Sequence, residues 1–200
     1  MPETSNYTIY DLLRNCAEKN SEALAIVSPQ RPSLTYRHLL DQVDQTIESL
    51  RSRGIARRDR VVLVLPGGPE LATAFLAVSS IATVIPLNPA YRESEFDYYF
   101  SDLKPKALIV ASGMDSPAAA AAQKGGIDII ELRPSPERGA GSFSLLTPRR
   151  DVAGTGDAHG DDIALVLYTS GTTSKPKPVP LSHSNLRTSA ENIAASLGLT

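Results

Sequence analysis

The side chains best able to do chemistry crowd into one stretch, 168–177, which reads YTSGTTSKPK. Thr169, Ser170, Thr172 and Thr173 supply four hydroxyls, Gly171 a flexible backbone, and Lys175 and Lys177, spaced by Pro176, two ammonium groups. Hydroxyls, free backbone N–H groups and cations in one turn can cradle a polyphosphate. Composition alone does not assign that role, because Ser/Thr/Gly-rich turns after strands are common. Two other phosphate motifs are absent: neither lysine has Gly before it and Ser/Thr after it, as a P-loop requires. Gly154, Gly156 and Gly160 lack dinucleotide-fingerprint spacing, and no G-x-S-x-G elbow occurs.

These residues need a scaffold. The apolar run 163–167 predicts a strand buried on both faces that delivers the turn, and Ser182 predicts the cap of a following helix with Leu186, Ile193 and Leu197 on one face. Upstream, Thr8 and Asp11 form a capping-box pattern ahead of Ile9, Leu12, Leu13 and Cys16, which reads as a structural thiol on an apolar face. Residues 23–27 predict a short strand. Thr35 caps a helix with Tyr36, Leu39, Leu40, Val43, Ile47 and Leu50 on its apolar face, closed by Gly54. Strand 61–65, a Pro66-Gly-Gly-Pro69 turn, helix 70–80, strand 84–87, an aromatic helical stripe (Phe96, Tyr99, Phe100, Leu103), strand 107–111, helix 115–124 and strand 127–132 follow. This alternation predicts an α/β fold of mainly parallel sheets flanked by helices. Residues 133–160, rich in Pro, Gly, Ser and charge, predict a long surface connection. The expected organisation is a first α/β subdomain over 1–132, that connection, and the start of a second subdomain over 161–200.

Composition narrows the function. With 200 residues and a net charge of −2, nothing marks the chain as a nucleic-acid binder. One cysteine excludes an internal disulfide and a multi-cysteine metal site, and the three histidines lack ligand spacing. No apolar run is long enough to span a membrane, and the first residues, MPETSNYTIYD, do not read as a secretory signal. The expected location is intracellular, cytoplasmic or peroxisomal.

The string from Tyr168 to Lys177, continued by Val179 and by Leu181-Ser-His183, resembles the signature loop of the adenylate-forming enzymes: acyl-CoA synthetases, nonribosomal peptide adenylation domains and firefly luciferase. Residues 84–89, VIPLNP, with Glu95 beyond, resemble a structural landmark of the same family. The continuation from Val179 to Leu186 looks most like small-acid CoA ligases of fungi and plants, the oxalate–CoA ligase type.

The resemblance implies a carboxylate attacking the α-phosphorus of ATP, with release of pyrophosphate, then displacement of AMP by a thiol, usually that of coenzyme A. It implies that Thr169, Ser170, Gly171, Thr172, Thr173, Lys175 and Lys177 hold the triphosphate with Mg²⁺, Lys177 and Thr172 acting in catalysis. Lys175 could instead be a solvent-facing charge. His183 lines the acyl side in this reading, or is a helix-start histidine without a ligand. The family has Gly where this chain has Ser174 and Pro178. In the family the adenine and acyl pockets, the Mg²⁺-handling carboxylate, the ribose-binding Asp and the C-terminal-domain lysine come later in the chain. The expectation is therefore the incomplete N-terminal part of the large domain of an acid–CoA ligase, without catalysis of its own. The alternatives are a non-catalytic truncated homologue and the front of a module that loads a carrier protein.

Overall fold

The computed structural model describes residues 7–146, 156–169 and 176–198. Within them, helices α1 (Ile9–Lys19), α2 (Tyr36–Arg51), α3 (Pro69–Ser79), α4 (Glu93–Leu103), α5 (Pro117–Lys124) and α6 (His183–Leu197) alternate with strands. β1 (Leu24–Ile26) and β2 (Leu34–Thr35) form a small antiparallel ribbon. The main sheet holds β3 (Arg60–Val64), β4 (Thr83–Pro86), β5 (Ala107–Ala111), β6 (Asp128–Pro134), β7 (Phe143–Leu145), β8 (Ile163–Thr169) and β9 (Lys177–Ser182), in the order β7-β6-β5-β3-β4-β8-β9. The five central strands are parallel, and β7 and β9 close the edges antiparallel.

Local chemistry sets the helix starts. Thr8 Oγ1 accepts from the Asp11 N–H and Asp11 returns the bond to the Thr8 N–H at 2.9 Å, a reciprocal capping box. Gly68 precedes α3 and Pro69 takes its first position, where a missing N–H costs nothing. Asn88 Oδ1 accepts from the Ala90 N–H at 2.9 Å, making the turn that leads into α4. The family-like landmark at 84–89 thus has a structural task here. Several boundaries differ from the sequence reading by a residue or two. α2 is capped by Ser52, with Gly54 at φ 80° turning the chain two residues later, and α5 begins at Pro117 rather than 115.

Crossover handedness divides the core. The chain moves from β3 to β4 through α3, then returns past β3 to β5 through α4, so right-handed connections put the two helices on opposite faces. One face buries Val61, Leu63, Leu65, Val84, Ile109 and Leu165 against α1, α2 and α3. The other buries Val62, Val64, Ile85, Leu108 and Val166 against α4 and α5, with Phe96 fully enclosed. Strands lined on both faces account for the continuous apolar runs in the sequence.

The stretch expected as a surface connection behaves differently. It supplies β7, and Ala140, Ser142 and Phe143 are buried. Its anchor is a side chain from α2: Gln42 Nε2 donates to the Phe143 carbonyl at 3.0 Å. Strand β8, expected to open a second subdomain, is hydrogen-bonded into the same sheet through β4. Ile193 and Leu197, read from the sequence as one face of the last helix, are exposed on α6.

Phe96→Ala removes the largest fully buried ring of the second core. It should lower unfolding stability by about 3–5 kcal/mol in a urea titration; a loss under about 1 kcal/mol would mean the site is not close-packed.

Candidate functional site

β8 and β9 pair antiparallel from Ile163↔Ser182 to Thr169↔Lys177. The connection between them, 170–176, therefore leaves from the carboxyl end of β8. Because β8 runs parallel to β4, that is the edge of the sheet at which β3, β4, β5 and β6 also end, the rim where open α/β sheets bind ligands. Of the residues singled out for phosphate binding, Thr169 and Lys177 are described. They form the last cross-strand pair of the hairpin, lie on one face and are both exposed. Ser170, Gly171, Thr172, Thr173 and Lys175, with Ser174, lie outside the described residues. Lys177 was read as part of the turn; it is the first residue of β9.

Pro178 also falls in the strand. β9 has a single neighbour, and Pro178 and Pro180 are two apart, so their missing N–H positions point the same way and can face the open edge. Proline is tolerated there and makes the edge a poor template for further strands.

The carboxyl end of β8 leans on α4. Tyr168 is on the face opposite Thr169; its hydroxyl donates to Asp102 Oδ2 at 2.7 Å and its ring meets Tyr99 edge-on, centroids 4.7 Å apart. Tyr99 stacks on Tyr91 at 5.4 Å. Burial pushes the Tyr99 phenol up to about 12. Burial, then the bond to Asp102, also pushes Tyr168 above its ordinary value, so it stays a protonated donor. The sequence reading placed Tyr99 in the core and passed over Asp102, because an exposed carboxylate near a helix end carries no pattern.

The amino end of β8 is tied down by charge. Asp162 receives Arg57 through Nε at 2.5 Å and Nη2 at 3.0 Å, Arg58 Nε at 3.3 Å and the His159 N–H at 2.9 Å. Burial alone would raise its pKa, but the Arg57 bond, the His159 amide and Arg58 outweigh it and hold the carboxyl at about 2. The Asp162 carbonyl also accepts from the His183 N–H at 3.2 Å. The His183 ring is 1% exposed, and its Nδ1 accepts from the Ile9 N–H at 3.2 Å, so the proton sits on Nε2 of a neutral ring. Burial lowers its pKa, against the pull of Asp162 and Asp11. His183, expected on the acyl side or without a ligand, thus joins α1 to the start of α6. The Arg57-Arg58 and Asp161-Asp162 doublets were the available signal for this junction.

At the same rim, a cavity of about 530 Å³ lies over the ends of β3, β5 and β6, lined by Arg31, Gly67, Gly68 and Ala111 among others; Thr169 and Lys177 do not line it. Among the described residues, no three His, Cys, Asp or Glu side chains gather as a metal site, and no helix is long and apolar enough to cross a membrane.

Comparison with known proteins gives this geometry a context. The model of the AMP-binding enzyme family matches residues 13–199. A probable CoA ligase of Humulus lupulus is 35% identical over 94% of this chain, and an oxalate–CoA ligase of Arabidopsis thaliana 37% identical over 96%. The chain spans 37% and 38% of those relatives' lengths. The ATP-bound crystal structure of MatB from Rhodopseudomonas palustris superposes with a TM-score of 0.76 at 26% identity, covering 95% of this chain and 37% of that one.

Asp162 and His183 both have folded pKa values below their ordinary ones, so the unfolded chain takes up more protons on acidification and stability falls with it. The His183 contribution is complete above pH 6.5 and declines below it; that of Asp162 is complete above 3.8 and is lost towards about 2. His183→Asn, which keeps an acceptor and cannot titrate, should flatten the urea midpoint against pH just below 6.5. An unchanged slope there would contradict the neutral, accepting ring.

Proposed function

Because the chain belongs to the AMP-binding enzyme family, we propose that it is the N-terminal part of an ATP-dependent acid–CoA ligase. The observation that carries this is the Thr169–Lys177 pair, a hydroxyl and an ammonium exposed side by side where β8 delivers a hydroxyl-rich connection to the carboxyl rim of the sheet. Carboxylate and triphosphate are both anions, so their approach is opposed by charge. A preorganised set of hydroxyls, amides and cations lowers that barrier most where charge builds up, on the departing pyrophosphate. Lys177 and Thr172 have that role in the proposal, with Thr169, Ser170, Gly171, Thr173 and Lys175 completing the cradle.

The donors of the described stem suit phosphate oxygens rather than a cation, so Mg²⁺ would arrive on the phosphates and neutralise them further. Coenzyme A would be the thiol acceptor and a small carboxylic acid the substrate. The oxalate–CoA ligase likeness favours a short, polar acid. An ATP-consuming ligase works where ATP is held, inside the cell, in cytoplasm or peroxisome. Nucleic acid has no part in this chemistry. In a longer protein, the β8–β9 hairpin and α6 would begin a second subdomain while sharing the sheet of the first. His183 takes part by position, since a substrate contact would need a path to an enclosed ring.

Two outcomes test the proposal. The 200-residue chain by itself should show no carboxylate-dependent exchange between ATP and pyrophosphate; exchange above a protein-free control would contradict it. In a protein extended to the length of its relatives, Lys177→Ala and Thr172→Ala should each slow adenylation on the order of 100-fold. Unchanged rates in both variants would take the hairpin out of the mechanism.

A further inference from the structure

The hairpin's carboxyl end projects from the sheet with little beneath it. The register between β4 and β8 is a single pair, Val84↔Leu165, four residues before Thr169. Beyond it, β8 is paired in register with β9, and β9 is an edge strand carrying two prolines. A two-stranded ribbon in water is marginal without a face to pack on. On the face shared with Thr169 and Lys177, Leu165 and Leu181 pack in the first core, but Leu167 and Val179, further toward the tip, are exposed.

The opposite face has Tyr168. We infer that the Tyr168–Asp102 hydrogen bond, seated on the Tyr99 ring, is the brace that fixes the position of Thr169 and Lys177 at the rim of the sheet. The inference rests on reading that pair as the stem of a phosphate site. Three observations carry it. Tyr168 is adjacent to Thr169 and directly opposite Pro178, itself adjacent to Lys177, so one ring is next to both members of the pair through the backbone. Its anchor is rigid: Asp102 sits one residue before the end of α4, whose Phe96, Tyr99, Phe100 and Leu103 are buried in the second core. The contact is long-range, joining residues 66 apart, so it resists a swing of the hairpin that local bonds would permit. The phenol donates to an ionised carboxylate, a charge-assisted bond stronger than a neutral one. Tyr168 and Asp102 are therefore positioning residues.

The test uses the 200-residue chain, with amide hydrogen exchange followed for β8 and β9 and, as internal reference, for Val62 and Ile109 in β3 and β5. Tyr168→Phe, which keeps the ring, should speed exchange at Leu167, Thr169, Lys177 and Val179 about tenfold, leaving the reference amides unchanged. Asp102→Ala should do the same, Asp102→Asn, which keeps an acceptor, should fall between it and the wild type, and Tyr168→Phe combined with Asp102→Ala should add nothing to either alone. Asp102→Ala should lower the Tyr168 phenol pKa, which burial and the bond to Asp102 raise. Unchanged hairpin exchange in Tyr168→Phe, or an equal rise at the reference amides, would overturn the brace. These effects in a wild type and variant series that fail to bind pyrophosphate would sustain the brace and remove the phosphate reading.

Discussion

Pairing β8 parallel to β4 puts the two ends of one strand in opposite surroundings. The amino end enters the protein beside buried polar partners, and the carboxyl end emerges at the rim shared by the other parallel strands. Thr83 Oγ1 donating to the Ile163 carbonyl at 2.7 Å, and Asp162 gripping Arg57 and Arg58, hold the first end. Sheet twist and the Tyr168 contact with α4 aim the second. A strand anchored in this way can present charge and hydroxyls without burying them, which an anion site requires.

Charge is handled differently at the two ends. At the base, Asp162 is partly enclosed and satisfied by several donors, so it remains ionised at a price in burial that the arginines offset. His183, next to the same carboxylate's backbone, is held below its ordinary pKa by burial, and its ring accepts a bond from α1. At the rim, Lys177 is exposed and keeps its charge available. Among the described residues, the ion pairs at the base serve structure, and Lys177 at the rim is exposed. Pro178 is accommodated by the strand itself, since an extended edge position suits the fixed φ of proline.

Much of this was legible in the sequence, for reasons that differ by element. Strands β3, β5 and β8 were readable because burial on both faces demands unbroken apolar runs. The starts of α1, α2 and α6 were readable because Thr8, Thr35 and Ser182 bond within three residues. The hydroxyls of the hairpin connection were visible as letters. Their support was not: Tyr168 to Asp102, Asp162 to Arg57 and His183 to Ile9 join residues 66, 105 and 174 apart, where no local period exists. Strand β7 was missed because three residues, held by pairing with β6 and by side chains from Gln42 and Arg53, leave almost no periodic trace.

The central claim is that the hairpin at the end of β8 is where a polyphosphate is held. The most direct measurement is a titration of the isotope-labelled chain with pyrophosphate and Mg²⁺, followed amide by amide. The account predicts saturable shifts concentrated from Thr169 to Lys177, reduced in Lys177→Ala. Shifts confined to another part of the rim, such as Gly67 and Gly68, or none at all while the chain remains folded, would contradict it.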